Sequence, residues 1–404
     1  MKQWAAIAVL CVFADLATAQ KVNEFPKRDD PLHVRVAMFE ELMQGNHWNE
    51  DVVMPDIIFP PAGEDRPLVG NQEDATGHTG VTLAAYAYKY AVTQDLQDRT
   101  LADRLMEAVL TLERVTGVPG VMARTFNRVD EPLWHEQVYF FPSEWHQSTT
   151  MPGYRWQGDL SSDKFVDLTY GVSKYWELAA DGKHKQVAAD FIDRFVGRCV
   201  DHNFRLVDFD GKTTLWGNFC PDLPHENLNA MEMLAGLKTA YRLTGKDRYR
   251  EAYERLIKKY HYDEEAIMAR RLWPEMWTVP WDDELASKSF CQLMPYETDP
   301  ALRNKYTMSL HRYGFAWKSN EYQRSEQLWY PMLYQAFAGV DVLDAKWQEA
   351  MRAQWGFDRV KRTFNVPQKD GTVKQMESEE EGNATDLIHN YWFGRYYGFI
   401  DPQW

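Results

Sequence analysis

Two kinds of helical pattern alternate along the chain. One carries charge on one face and Leu, Ala, Met or aromatic residues on the other, as in "TQDLQDRTLADRLMEAV", "ADGKHKQVAADFIDRF", "TGKDRYREAYERLI", "ETDPALRNKYTMSL" and "LDAKWQEAMRAQW". That spacing predicts amphipathic helices with one wet face. Each follows a segment of more continuous apolar and small-residue character: "TGVTLAAYAYKYAV", "DKFVDLTYGVSKYWELA", "NLNAMEMLAGLKTAYRL", "DDELASKSFCQLM" and "EQLWYPMLYQAF". A sixth segment of this second kind, "ATDLIHNYWFGRYYGFI", closes the chain, and the early "PLHVRVAMFEELM" is its outer partner. A helix apolar all round is buried on both sides. Six such helices alternating with six amphipathic ones predict an all-α fold, an (α/α)6 toroid, because no inner helix buries its surface alone and neighbours must close a ring. A seventh pair between residues 46 and 76 is the variant the pattern leaves open.

The extra length sits in loops. The longest insert, roughly residues 117 to 160, reads as a loop with short strands over one mouth of the ring. A second short break, "FRLVDFDGKTTLW", predicts a small β-hairpin turning at Asp210-Gly211. Cys199 and Cys220 bracket it, so a bridge across its base and two buried free thiols are both open readings.

The first nineteen residues change the picture. Lys2, the apolar run from Trp4 to Ala14 and the Ala17-Thr18-Ala19 pattern predict a secretory signal peptide, too short to span a bilayer. The expected mature chain is one toroid domain over residues 20–404, exported to a bacterial periplasm or beyond, with no membrane insertion. Hydrophobic residues make up 45% of the 404 and aromatics 14%, enough for a large core and also suited to meeting sugar faces. The formal net charge of −15 argues against nucleic acid as a partner. No cysteine spacing suits zinc, and no cofactor or metal is expected; oligomeric state is not legible.

Candidate chemistry collects where inner helices begin. Outer-to-inner connections are long and should open on one rim, where loops and first turns carry function. The stretch "PHENLNAMEML" puts His225, Glu226, Asn227 and Asn229 on or before one helix start, more than a cap requires. Other starts offer Asp74 and His78; Asp163, Lys164, Asp167 and Tyr170; Trp277, Trp281, Asp282 and Glu284; Arg324 and Tyr330; and Asn383, Asp386 and His389. Capping and dipole compensation account for many of the acids.

Two chemistries suit such a rim. In β-elimination from a uronate, an Asn, Arg or protonated acid stabilises the developing enediolate while a Tyr or His moves the proton. In glycoside hydrolysis, two carboxylates ~5–9 Å apart act with one kept protonated; Asp163 or Glu226 with Asp282 or Asp283 are candidates.

The segments "LERVTGVPGVMARTF", "GDLSSDKFVDLTYG", "LVDFDGKTTLWGNF", "LMPYETDPALRNKY" and "YWFGRYYGFI" resemble secreted bacterial (α/α)-toroid proteins, and within that group polysaccharide lyase family 38, which cleaves alginate or glucuronan. The likeness runs from about residue 75 to the C-terminus. Two places depart from the group: Leu168-Thr169-Tyr170 where relatives often have a Gly-His pair, and Val279-Pro280-Trp281 where they often have Asn-His-Ser. The resemblance implies a lyase on an acidic polysaccharide. On that reading His225 and Tyr170, with Tyr330 in reserve, are the acid/base groups. Glu226, Asn227, Asn229 and Arg324 meet the uronate carboxylate, beside His78 and Asp163. Trp277 and Trp281 stack on sugar rings, and Arg124, His146 and Arg155 from the insert supply local positive potential. A glycoside hydrolase and a non-catalytic glycan-binding toroid are the alternatives.

Overall fold

All twelve expected helices are present in the computed structural model, which describes residues 24–59, 68–69, 73–130, 145–270, 280–317, 325–367 and 372–404. In chain order they are α1 (Leu32–Leu42), α2 (Ala75–Thr93), α3 (Leu96–Arg114), α4 (Ser162–Leu178), α5 (Gly182–Asp201), α6 (Asn227–Thr244), α7 (Asp247–Tyr260), the one extra short helix α8 (Tyr262–Ile267), α9 (Pro280–Leu293), α10 (Pro300–Trp317), α11 (Ser325–Ala338), α12 (Ala345–Ala353) and α13 (Thr385–Tyr396). Helices α2, α4, α6, α9, α11 and α13 touch in that order, and α13 closes onto α2. The amphipathic helices lie outside: α3 on α2, α5 on α4 and α6, α7 on α6, α10 on α9 and α11, α12 on α11, and α1 on α13. The fold is therefore an (α/α)6 toroid. The signal-like segment and Cys11 fall outside the described residues. Among the described residues no helix is long and apolar enough to cross a membrane.

The inner helices carry a packed apolar core. Leu83, Phe165, Leu168, Met231, Leu234, Phe290, Met332, Leu387 and Phe393 are all buried. The tightest seam lies between α2 and α4. A Cβ on Gly171 would sit 2.1 Å from the Gly80 carbonyl oxygen, and one on Gly80 would sit 2.7 Å from the Asp167 carbonyl oxygen. Real side-chain carbons do not approach that closely, so the two helices meet backbone to backbone, and the first turn of α4 is drawn against the first turn of α2.

Four small sheets decorate the ring. Residues 46 to 76 hold β1 (Trp48–Asn49), β2 (Val52–Val53), β3 (Asp56–Phe59) and β4 (Leu68–Val69), which corrects the seventh-helix-pair variant. The β-branched pairs Val52-Val53 and Ile57-Ile58 favour extended backbone there. The 117–160 insert supplies β5 (Thr125–Arg128), β6 (Trp145–Gln147) and β7 (Tyr154–Gln157), a three-stranded sheet in the order β5-β7-β6. The hairpin β8 (Arg205–Val207) and β9 (Thr213–Asn218) turns where expected, with Gly211 at φ +82°. Cys199, Cys220 and Cys291 are buried free thiols, so no bridge closes its base.

Unforeseen is the long hairpin β10 (Arg359–Pro367) and β11 (Val373–Gly382), which joins β3 and β4 in a sheet ordered β10-β11-β3-β4. The acidic run Glu379-Glu380-Glu381 pairs against basic β10: Arg359 Nε reaches Glu381 at 2.7 Å and Arg362 reaches Glu380 at 2.5 Å. Buried His47 and Asn46 also bond Glu381. Strand β11 thereby delivers the chain into the first turn of α13 beside the start of α2.

If the backbone contact of α2 and α4 holds the ring, Gly171→Ala should lower the urea midpoint by the equivalent of about 2–4 kcal/mol, the scale of overpacking with backbone displacement. An unchanged midpoint would show that the seam is not tight.

Candidate functional site

The inner-helix starts do converge on one rim. A cavity of about 360 Å³ opens there, lined by Asp74, Gly77, His78 and Val81 from α2, Asp163, Lys164 and Asp167 from α4, Glu284, Leu285 and Lys288 from α9, and Thr385 and Asp386 from α13. Four helices thus contribute residues from near their N-terminal ends.

Two lysines brace the acids. Lys164 Nζ lies 2.8 Å from both Asp74 Oδ1 and Asp163 Oδ2. Lys288 Nζ lies 2.5 Å from Asp167 Oδ1 and 2.6 Å from Glu284 Oε1. Both lysines are buried. Burial disfavours their charge, yet the surrounding carboxylates more than offset it and hold both ammonium groups above the ordinary lysine range. Gly77 makes room for this lattice: a Cβ there would meet Asp167 Oδ2 at 2.4 Å and Lys164 Cδ at 2.9 Å. Arg124 is buried behind it, donating from Nε to the Asp159 carbonyl at 2.8 Å and from Nη2 to Ser161 Oγ at 3.0 Å. Ser161 in turn donates to Asp163. The long insert therefore shapes the start of α4 rather than lending Arg124 to the solvent side.

The lining carboxylates are not equivalent. Burial works against the charge of Asp163, but the Lys164 ammonium and backbone N–H and the Ser161 hydroxyl hold it well below the usual carboxylate range. One turn on, burial raises Asp167, and Lys288 and Lys164 only partly offset it. His78 is pushed down to about 4 by burial, against the pull of Asp74; its Nε2 is 3.5 Å from Asn383 Nδ2. On α6, Glu232 is fully buried and neither oxygen has a hydrogen-bond partner of ordinary geometry among the described residues. Burial, then the charges of Asp163, Asp282 and Asp167, push it well above the carboxylate range, with Ser162 giving slight support to the charge. Its surroundings thus favour the neutral acid over the carboxylate.

Of the residues named at helix starts, Asp74, His78, Asp163, Lys164, Asp167, Glu284 and Asp386 line the cavity; of those given a role in catalysis or binding, His78 and Asp163 do. The expected catalytic groups do not join them. Tyr170 is wholly buried; its hydroxyl lies 2.8 Å from His389 Nε2 and 3.4 Å from the Tyr88 hydroxyl, deep in the ring. Tyr330 is buried in α11. His225 stands at the same rim but is fastened sideways: Nε2 is 3.0 Å from Glu265, Nδ1 is 2.9 Å from the Leu223 carbonyl, and the ring packs on Tyr262. Glu226 is the exposed N-cap of α6, Asn227 is exposed with Nδ2 3.5 Å from the Met268 carbonyl, and Asn229 is half-buried. Asp282 lies at the start of α9 beyond the lining residues. His146 is packed between Trp156 and Phe209, and the Arg155 guanidinium lies over the Trp145 ring. Trp277 and Arg324, and the side chain of Trp281, lie outside the described residues.

Lys288 and Glu232 had no place in the sequence reading. The available clue was a charged residue inside an otherwise apolar inner helix, which demands either a partner or a function. Among the described residues no three His, Cys, Asp or Glu side chains are arranged to hold a metal.

No protein-family model matches the chain, and no curated protein matches it. Among solved structures it is similar to Bacteroides ovatus GH9, at 11% identity over 86% of this chain and 77% of that one, with a TM-score of 0.44. It is also similar to the cellobiose 2-epimerase of Spirochaeta thermophila, at 12% identity over 81% and 87%, with a TM-score of 0.41. A family 76 glycoside hydrolase (mannosidase) of Bacteroides thetaiotaomicron matches at 9% identity over 90% and 96%, with a TM-score of 0.33. Likeness at this level carries no activity across; that question rests on the site.

Two pH effects follow from the buried groups. His78 and His389, the latter pushed down by burial to about 3, stay neutral in the folded chain while an unfolded histidine titrates near ~6.5. Below that pH the unfolded chain binds protons the folded one refuses, so stability should fall from about pH 6.5 toward 4 and below. Melting temperatures across that range check this, and His389→Asn should show a shallower decline. Glu232 has the opposite sign. The folded chain keeps its proton while an unfolded glutamate releases it near ~4.3, so stability is lost as pH rises above that value. Glu232→Gln should melt higher than the parent at pH 8 and level with it near pH 4; equal melting at both would show that Glu232 is ionised in the fold.

Proposed function

We propose that the chain is a glycan hydrolase that cleaves a neutral glycosidic linkage in the rim cavity. The observation that carries this reading is the pair Asp163 and Asp167, one helical turn apart and both lining the cavity, in opposed environments. Two carboxyls whose surroundings drive their proton affinities apart are suited to separate acid and nucleophile roles. Asp163, side chain 35% exposed and met by ammonium, amide and hydroxyl donors, is the ionised partner that attacks or stabilises the anomeric carbon. Asp167, nearly enclosed and raised by burial, gives a proton to the leaving oxygen from Oδ2, the oxygen that Lys288 does not hold, and later takes one from water. The two lysines keep the carboxylates in place.

The lining supports hydrolysis over β-elimination. Asp74, Asp163, Asp167, Glu284 and Asp386 stand against Lys164, Lys288 and an uncharged His78. Both lysines are already committed to carboxylates, and such a field opposes a polyuronate. No tyrosine lines the cavity among the described residues.

The test is a panel of neutral glycans (β-glucan, mannan, xylan) beside alginate and glucuronan, read for reducing ends and for the ultraviolet absorbance of a C4–C5 double bond. New reducing ends on a neutral glycan without that absorbance are expected. Absorbance growing on a uronate polymer overturns the reading in favour of a lyase. Asp163→Asn and Asp167→Asn should each lower kcat/KM by about 10²–10⁴-fold, the range for loss of an acid or base group. The alkaline limb of the pH–rate profile should follow loss of the Asp167 proton, above the ordinary carboxylate range.

A further inference from the structure

His78 lines the cavity, yet the acid and nucleophile roles do not use it. Its proton can be placed, because the neighbouring side chain is fixed at both ends. Asn383, between β11 and α13, accepts at Oδ1 from the Thr385 N–H at 3.0 Å and donates from Nδ2 to the Pro55 carbonyl at 3.0 Å. Turned over, the amide would set its oxygen against the Pro55 oxygen and its N–H groups against the Thr385 N–H. The two backbone groups therefore fix which end is nitrogen.

That nitrogen is the atom His78 meets. Asn383 Nδ2 lies 3.5 Å from His78 Nε2. An amide nitrogen has hydrogens to donate and no lone pair to accept with. A proton on Nε2 would point one donor at another, so Nε2 is the bare, accepting nitrogen. A neutral imidazole has a single N–H, and burial keeps this ring neutral by pushing it down to about 4. The proton is therefore on Nδ1. Among the described residues Nδ1 has no hydrogen-bond partner, and the ring is only half-buried in the cavity wall.

We propose that His78 is a specificity-determining residue that donates from its Nδ1–H to a hydroxyl of the sugar held in the rim cavity. The charges around it select an uncharged unit. Burial works against the charge of Asp74 and Glu284, but Lys164 and Lys288 hold both below the ordinary carboxylate range, as Lys164 does Asp163. Those ionised carboxylates repel an anion, and a neutral N–H offers no charge to hold one. A hydroxyl suits both: its oxygen accepts from Nδ1–H while its own hydrogen is free for a carboxylate. The assignment rests on the hydrolase reading for the ligand being a neutral sugar; the position of the proton stands without it.

Nuclear magnetic resonance of the full chain with 15N-labelled histidine reads the tautomer, His78 being assigned by the signals lost in His78→Asn. An N–H at Nδ1 and a bare Nε2 are expected at neutral pH; the opposite tautomer or an imidazolium overturns the proposal. Binding is then read by calorimetry in the chain carrying Asp163→Asn, with cellotriose, mannotriose and xylotriose as probes. The amide nitrogen of an asparagine takes nearly the place of Nδ1, and that of a glutamine nearly the place of Nε2. His78→Asn should therefore keep the affinity within about 3-fold, while His78→Gln and His78→Ala each lose about 5–10-fold, the scale of one hydrogen bond. Rescue by asparagine alone separates a donated hydrogen bond from lost packing. Equal losses in all three variants, or none in any, overturn the contact and leave the hydrolase reading intact. A chain with the Nδ1–H tautomer that binds none of the three sugars overturns the sugar contact and the hydrolase reading together.

Discussion

The backbone contact between α2 and α4 is the constraint on which the rest depends. Gly80 and Gly171 let the two inner helices touch without intervening side chains, and Gly77, one turn nearer the rim, leaves just enough space for the Asp167 carboxylate and the Lys164 stem. Any larger residue at these positions would separate the helices by a side chain's width. The acids of α4 would then be carried away from Asp74 and His78, and the lysine that bridges them would lose one partner. Packing and electrostatics are thus a single feature here: the close seam creates the site.

The site in turn works against the fold. Two buried lysines and their carboxylates balance one another, since each ammonium has two oxygens within hydrogen-bond distance. Glu232 has no such balance. A wholly buried carboxyl with no hydrogen bond of ordinary geometry among the described residues, near three other acids, disfavours folding at neutral pH, and a leucine or glutamine would be easier to accommodate. Natural chains tolerate such residues mostly near functional sites.

Much of the architecture was legible in the residues. The alternation of all-round apolar helices with one-faced ones is a direct physical consequence of ring packing, and it located every inner and outer helix as well as the β8–β9 turn. The sheet holding β10 and β11 was not legible, because an acidic run such as Glu379-Glu380-Glu381 reads as solvated unless its basic partner strand is known to lie alongside. The rim was also foreseen as the place where polar groups gather, and His78 and Asp163 line its cavity.

What sequence could not decide was direction. Tyr170 and Asp167 are three residues apart on one helix, yet one hydroxyl is sealed against His389 in the ring's interior and the other side chain lines the cavity. His225 sits at a helix start on the correct rim, yet Glu265 and Tyr262 turn it aside. Local pattern determines which helices form and which faces are apolar, because those are properties of spacing along one chain. Which polar side chains share a cavity depends on how far each helix rotates and how closely it approaches its neighbours, and here that was set by glycine contacts and lysine bridges between residues more than eighty positions apart.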